Sequence, residues 1–408
     1  MAVSANPAGE LSIVTYAIAL LFAACSSTCS GNDTDNGKLP RVRCLAFSPD
    51  GTMLAAAGGE PDSKGELVIW DTREFRARWR YAEPIGFPKL AFSPDGKELA
   101  LSRFAPETKI LDVASGTVIG DLKGHTKHAR CVTYTPDGQQ IITGGYDKSI
   151  ILWDARTREM ISKIEGHQAA VYHLAVSPDG KQLASADSTA GKAYLWDLAS
   201  RQRVHTFDNL GSLVPHLLFS PDGKFLVISS WTEFLLVHEV PSYRRLDQIQ
   251  RIGGVHGSAF SSDGLWLAVA SNSSVAYVFR TESADESLAK RATELLAKFQ
   301  DPSYEVRESA SQDLIAVGRP AISQLREALK SPHVETRVRA RGLLREFAGP
   351  STAVQLKGFQ QFPECVAFSH DATRLACGDQ AGRVVIWSVG DWKRIATLSL
   401  DADNQGAP

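Results

Sequence analysis

One five-residue phrase recurs seven times and limits what this chain can fold into. It reads Phe47-Ser48-Pro49-Asp50-Gly51, then Phe92 to Gly96, Tyr134 to Gly138, Val176 to Gly180, Phe219 to Gly223 and Phe260 to Gly264, and fades to Phe368-Ser369-His370-Asp371-Ala372. Successive copies stand about 42 residues apart, except that the last follows its predecessor by about 108. Units of that length cannot cover their own apolar faces, so they must pack against one another. The phrase itself dictates a turn. Proline sets φ at the first central position, aspartate suits the second, and glycine accepts the positive φ that closes a hairpin. Short apolar flanks such as Arg43-Cys44-Leu45-Ala46-Phe47 and Met53-Leu54-Ala55-Ala56-Ala57 read as the paired strands.

A second mark follows each turn in phase. Trp70-Asp71, Trp153-Asp154 and Trp196-Asp197 close apolar strands, and Leu111-Asp112, His238-Glu239, Phe279-Arg280 and Trp387-Ser388 fill the same slot in worn form. Gly124-His125 and Gly166-His167 precede the third and fourth turns. With these marks the chain resembles the WD-repeat β-propeller family over residues 41–282 and 351–400. The resemblance implies a mainly β fold of seven four-stranded antiparallel blades, and the long last interval adds a small all-α insertion between the third and fourth strands of the sixth blade. It also implies a hydrogen-bonded tetrad in the third blade, made by His125, Thr143, Asp147 and Trp153. These four are expected to staple the fold and not to act as a hydrolytic relay. In the fourth repeat Ala190 stands where Asp147 stood, and in the seventh Phe359, Cys377 and Ala381 replace the polar members.

The long last interval holds a second unit, residues 283–350. Leu288, Ala292, Leu295, Leu296 and Phe299 fall at helical spacing behind Ser283 and Glu286, placed as a capping box. Val306, Ala310, Leu314 and Val317 form a second stripe ended by Gly318; Pro320 opens a third helix, and Ser331-Pro332 a fourth. Tyr304 to Ala310 and the arginine-rich last helix resemble the second helices of HEAT or armadillo repeats. Arg337, Arg341 and Arg345 recur every fourth residue and share one helix face, an expected docking site for an acidic partner, a phosphate group or a lipid headgroup. Self-association through this insert is a further expectation. In the WD-repeat family an insert at this place opens on the face opposite the Gly-His and Asp turns, which would give two separated surfaces.

The amino-terminal residues 1–25 form a third unit. Leu11 to Ala24 is uncharged and mostly apolar for about 14 residues, the length of a signal core and too short to span a bilayer comfortably. Phe22-Ala23-Ala24-Cys25 resembles the bacterial lipobox, which implies lipid attachment at Cys25 and an exported, membrane-anchored protein. Phe22 replaces the usual leucine, and Met1 to Glu10 carries no lysine or arginine. Ordinary secretion and an uncleaved anchor are the alternatives. Residues 26–40, rich in Ser, Gly, Asn and Asp, suit a tether, and 401–408 form a tail.

Composition narrows the function. A net charge of −2 over 408 residues gives no pull toward nucleic acid. Six cysteines are too few for a disulfide scaffold, although Cys365 and Cys377 stand symmetrically about the seventh turn, where a hairpin could bring them face to face. No phosphate loop, metal-spaced histidine pair or nucleophile elbow occurs, so no catalytic residue, metal or cofactor is expected. His238-Glu239 is a worn Trp-Asp slot. The expected function is a non-enzymatic scaffold that binds other proteins; the alternative is an enzymatic or ligand-sensing propeller that uses its central channel. Partner contacts are expected on the face of the Asp turns, with Phe104, Tyr146 and Trp231 as exposed aromatic anchors. Arg103, His128, Arg130 and Tyr172 are expected near the same rim or the channel mouth.

Overall fold

A computed structural model describes residues 40–400 except 190, 212, 232–233, 251, 282–285 and 350–352. Cys25, the lipobox, the tether up to residue 39, the capping-box Ser283 and the tail 401–408 lie outside the described residues. Seven four-stranded antiparallel sheets form seven blades, and within each sheet the strand order is the chain order. The first strands touch one another in an unbroken cycle, from blade one (Val42–Phe47) through blade four (Val171–Val176) to blade seven (Pro363–Phe368) and back. They therefore line a central channel. The fourth strands, such as Ala77–Glu83 and Arg394–Ser399, are the exposed rim.

Each repeated phrase closes the hairpin between first and second strands. In the first copy the Ser48 hydroxyl donates to Asp50 Oδ1 at 2.6 Å, and the same oxygens accept the Met53 and Thr52 amides at 2.9 and 3.0 Å. The six other turns repeat this hydroxyl–carboxylate pair. That pairing explains why Ser or Thr recurs beside the Pro-Asp-Gly core. The seventh turn keeps the geometry with Ala372 at a φ of 55°, a conformation glycine adopts at less cost.

Blade-to-blade cores hold the ring together. Leu45, Leu54, Val68 and Trp70 of blade one interdigitate with Cys365, Ala376, Val384 and Ile386 of blade seven. Among the described residues each blade keeps its own four strands, so no strand exchange clasps this seam. Side chains bridge it instead: Arg41 pairs with Glu364 at 3.1 Å, Arg374 reaches Thr72 O at 2.6 Å, and Arg80 reaches Leu400 O at 2.9 Å. Cys365 and Cys377 do not face each other. The register sets Cys365 opposite Gly378 and Cys377 opposite Val366, so the two buried thiols pack into different inter-blade cores and remain free.

The helices enter after the third strand of blade six (Ala276–Arg280) and leave into its fourth (Val354–Leu356). They are α1 (Glu286–Ala297), α2 (Tyr304–Val317), α3 (Ile322–Ala328) and α4 (Val334–Phe347). Ala292, Leu295, Phe299, Leu314, Leu325 and Phe347 form their own buried core. α2 and α4 are built alike at their starts. Arg307 Nη1 donates to the carbonyls of Asp301 and Pro302, and Arg337 Nη1 donates to those of Ser331 and Pro332. Arg337 is thus half-buried and committed to the loop before its helix, which corrects its expected role in docking, while Arg341 and Arg345 are exposed. Arg319 fastens the insert to the propeller. Buried at 6% exposure, it pairs with Asp247 of blade five, donates to Phe347 O at 2.7 Å and lies 5.8 Å from the Phe279 ring of blade six.

Candidate functional site

In blade three the structure brings His125, Thr143, Asp147 and Trp153 into one chain. The Trp153 indole donates to Thr143 Oγ1 at 2.8 Å, and that oxygen lies 2.9 Å from His125 Nε2. Because the threonine already accepts from the indole, its own proton points to Nε2, so the imidazole proton sits on Nδ1, 2.9 Å from Asp147 Oδ1. Burial outweighs the pull of Asp147 and lowers the His125 pKa, leaving the ring neutral. Burial alone would raise Asp147, but the Thr126 amide and His125 hold its carboxyl below the ordinary range. The chain lies in the blade wall and joins the loop before the blade to the turn between its second and third strands.

Blade four keeps half of this arrangement. Trp196 donates to Ser185 Oγ at 2.7 Å and His167 Nε2 lies 2.8 Å from the same oxygen. Asp187, fully buried, stands 4.0 Å from His167 Nδ1 in place of the missing turn aspartate. Burial, with the Arg203 charge, pushes His167 down to about 3. In blade seven Asp379 does the work of a turn organiser, accepting the amides of Ala381 and Arg383 at 2.9 and 3.0 Å. Reading the repeat missed both aspartates; the available signal was an acid two residues past the Ser/Thr slot, Ser185 in one case and Cys377 in the other.

The Asp-turn face is divided between packed and open aromatics. Tyr146 is 39% exposed and Trp231 42%. Each stands beside a histidine: His128 is 5.7 Å from the Tyr146 ring, and His256 is 4.6 Å from that of Trp231. Phe104 corrects the expectation of an exposed anchor. It is 6% exposed, because the His128 ring stands edge-on to it at 6.3 Å and the Arg43 guanidinium covers it at 5.2 Å. Arg103 is held by Glu83 at 2.5 Å and by Glu107 at 3.4 Å.

The channel mouth has an organisation the sequence reading did not find. In five blades the first strand carries a β-bulge, and the unpaired residue is Arg43, Arg130, Tyr172, His256 or Glu364. Pro88 and Pro215 hold the corresponding place in blades two and five, where the missing amide suits an unpaired position. Arg130 is 7% exposed, so it belongs to the channel wall and not to an open rim. Its Cζ lies 4.0 Å from the ring of half-buried Tyr172, and its charge holds that phenol below the ordinary value. Glu364 is committed to Arg41 and to the Gln380 amide at 2.9 Å. Among the described residues no cluster of three or more His, Cys, Asp or Glu side chains could hold a metal ion. The worn slot residue His238 has its Nδ1 3.0 Å from Tyr243 O.

This architecture is a seven-bladed β-propeller, and its indole–hydroxyl–imidazole–carboxylate chain is the staple that the resemblance to WD repeats implied. The family model of the WD domain, G-beta repeat, matches residues 23–71, 116–154 and 158–197. The chain is also similar to WD repeat-containing protein VIP3 of Arabidopsis thaliana, 28% identical over 108 residues, which covers 22% of this chain and 32% of that protein. The chain thus aligns with about a third of that relative's length.

Proposed function

We propose that the protein is a non-enzymatic scaffold that binds partner proteins through the Asp-turn face, with the helical insert, a HEAT-like pair, as a second docking surface. The carrying observation is the exposure of Tyr146 and Trp231 on the Asp-turn face. Large aromatics left open on a rigid frame are the residues that dominate interface energetics. Changing both to alanine is expected to weaken partner binding by about tenfold or more. Their exposure means that the melting temperature should hold. Partners recovered from the native membrane fraction supply the binding assay, and an equal loss of stability in the double variant would assign the two rings to packing instead.

The reading includes anchoring at an extracytoplasmic membrane surface through Cys25, supported by the apolar run and lipobox-like residues before it. Two acyl chains give the stable attachment that a single chain does not. Intact mass spectrometry of membrane-extracted protein is expected to show removal of residues 1–24 and a diacylated Cys25. An unmodified chain beginning at Met1 or Ala2 would refute the anchor while leaving the interaction face untouched.

A further inference from the structure

The channel wall carries two cations that no carboxylate neutralises. Lys89 follows the bulge position of blade two, the place that His173 and His216 fill in blades four and five. Among the described residues no carboxylate or hydrogen-bond acceptor meets its ammonium group. The neighbouring blade adds Arg130, whose Nη1 donates to the Pro88 carbonyl at 3.4 Å and whose guanidinium lies over Tyr172, the phenol that favours its charged form. The one acidic bulge residue, Glu364, is already held by Arg41 and Gln380. Burial, together with the adjacent Arg130 charge, pulls the Lys89 pKa down.

The rest of this wall offers donors and no competing negative charge. The His173 and His216 rings stack with centroids 3.9 Å apart, and burial keeps both far below the ordinary histidine pKa and hence neutral. His173 Nδ1 accepts the Leu217 amide at 3.4 Å, which leaves the ring proton on Nε2 as a donor. Lys89 is half-buried and Arg130 buried, and two cations on adjacent blades with no carboxylate between them repel each other. A plain apolar wall would avoid that repulsion, as Gly257 does at the same place in blade six.

We propose that Lys89 and Arg130 bind an oxyanion within the channel, either a free ion of phosphate size or the acidic side chain of a docked polypeptide. Charge-assisted bonds from an ammonium and a guanidinium, with neutral imidazole N–H groups beside them, are the donor set that such a group requires. The site does not depend on the scaffold reading, and its test uses no partner protein.

The experiment follows thermal unfolding of the full chain in sodium phosphate against sodium chloride at matched ionic strength. Phosphate is expected to raise the melting temperature of the wild type progressively, as binding to the native state alone requires. K89M is expected to weaken phosphate binding by about tenfold or more, K89R to retain it, and K97M, at an exposed lysine, to leave it unchanged. In chloride K89M is expected to melt no lower than the wild type, since it removes a charge that has no partner. An acetylated Gly/Ser peptide with a single glutamate distinguishes the sources: displacement of phosphate by the peptide supports a docked side chain, and failure to displace it supports a free ion. No phosphate effect in the wild type, an equal effect in K89M, or a strongly destabilised K89M in chloride would overturn the site.

Discussion

From pH 6.5 down toward 3 the folded propeller is expected to lose stability by up to about 1.4 kcal/mol per pH unit for each of its neutral buried histidines. His167 falls to about 3, and His173 and His216 lie far below the ordinary value of 6.5, in each case because burial disfavours the charged ring. The unfolded chain takes up these protons below pH 6.5 and the native state does not, so acid favours unfolding. Above pH 6.5 neither state is charged at these sites and the effect vanishes. Carboxylates that are paired in the native state act in the same direction, but below about pH 4, so the histidines dominate between pH 4 and 6.5. His167→Phe isolates one of them, since Phe359 already fills this slot beside Trp387 in blade seven, with ring centroids 5.4 Å apart. Urea unfolding measured from pH 4 to 8 should show a shallower acid slope in the variant, by about 1.4 kcal/mol per pH unit. An unchanged slope would mean that His167 is not the buried neutral group described above.

Gly58→Ala is expected to cost about 3 kcal/mol or more and to loosen the ring at its unclasped seam. A Cβ at Gly58 would lie 1.8 Å from the Arg41 carbonyl oxygen and 3.3 Å from Val42 Cα. Both are backbone atoms, so no side-chain rotation relieves the clash, and the start of the first strand of blade one must move. That start is where the seam is made. Arg41 reaches Glu364, Cys365 Sγ approaches Val42 O at 3.6 Å, and Val42 packs so tightly over Gly378 that a Cβ there would be 2.4 Å from its Cγ1. Hydrogen exchange should therefore quicken in Val42–Phe47 and in Arg374–Asp379 together. Gly51→Ala is the control: its φ of 71° adds local strain of about 1 kcal/mol, and nothing within 4 Å meets its Cβ. Equal losses in the two variants, with no change in exchange at blade seven, would sink the idea.

The blades were legible because each repeat states its own local chemistry. Pro-Asp-Gly sets a turn wherever it falls, and the slots of His125, Thr143 and Trp153 follow from their distance to that turn. The helical insert was equally plain, since Leu295, Phe299 and Leu314 mark one face by spacing alone. What the repeat phase does not encode is how a loop tilts or where a strand bulges. Phe104 holds the same slot as Tyr146 and its amide makes the matching bond, yet the Arg43 guanidinium and the His128 ring cover it. Arg337 sits on the same helix stripe as Arg341, but the carbonyls of Ser331 and Pro332 lie within its reach. The bulged ring of Arg43, Arg130 and Glu364 was invisible because a bulge is defined by the partner strand. Asp187 stands in for a lost turn acid from three residues upstream, and its place two residues past Ser185 was the mark that the repeat phase passed over.

Because the helices are spliced into blade six ahead of its last strand, the rim of that blade depends on a distant return of the chain. Only Val354–Leu356 completes the sheet, after an excursion that begins at Arg280. Were that excursion unfolded, closing a loop of roughly 70 residues instead of a few would cost about 2 kcal/mol more in chain entropy, a large burden for a three-residue strand. Folded helices remove much of that penalty by bringing their two ends together, and Arg319 and the bond from the Gln250 amide to Ala348 O, at 2.7 Å, moor them to blade five. Order in the helices and order at the propeller edge are therefore thermodynamically linked. Whatever steadies one steadies the other by the same free energy.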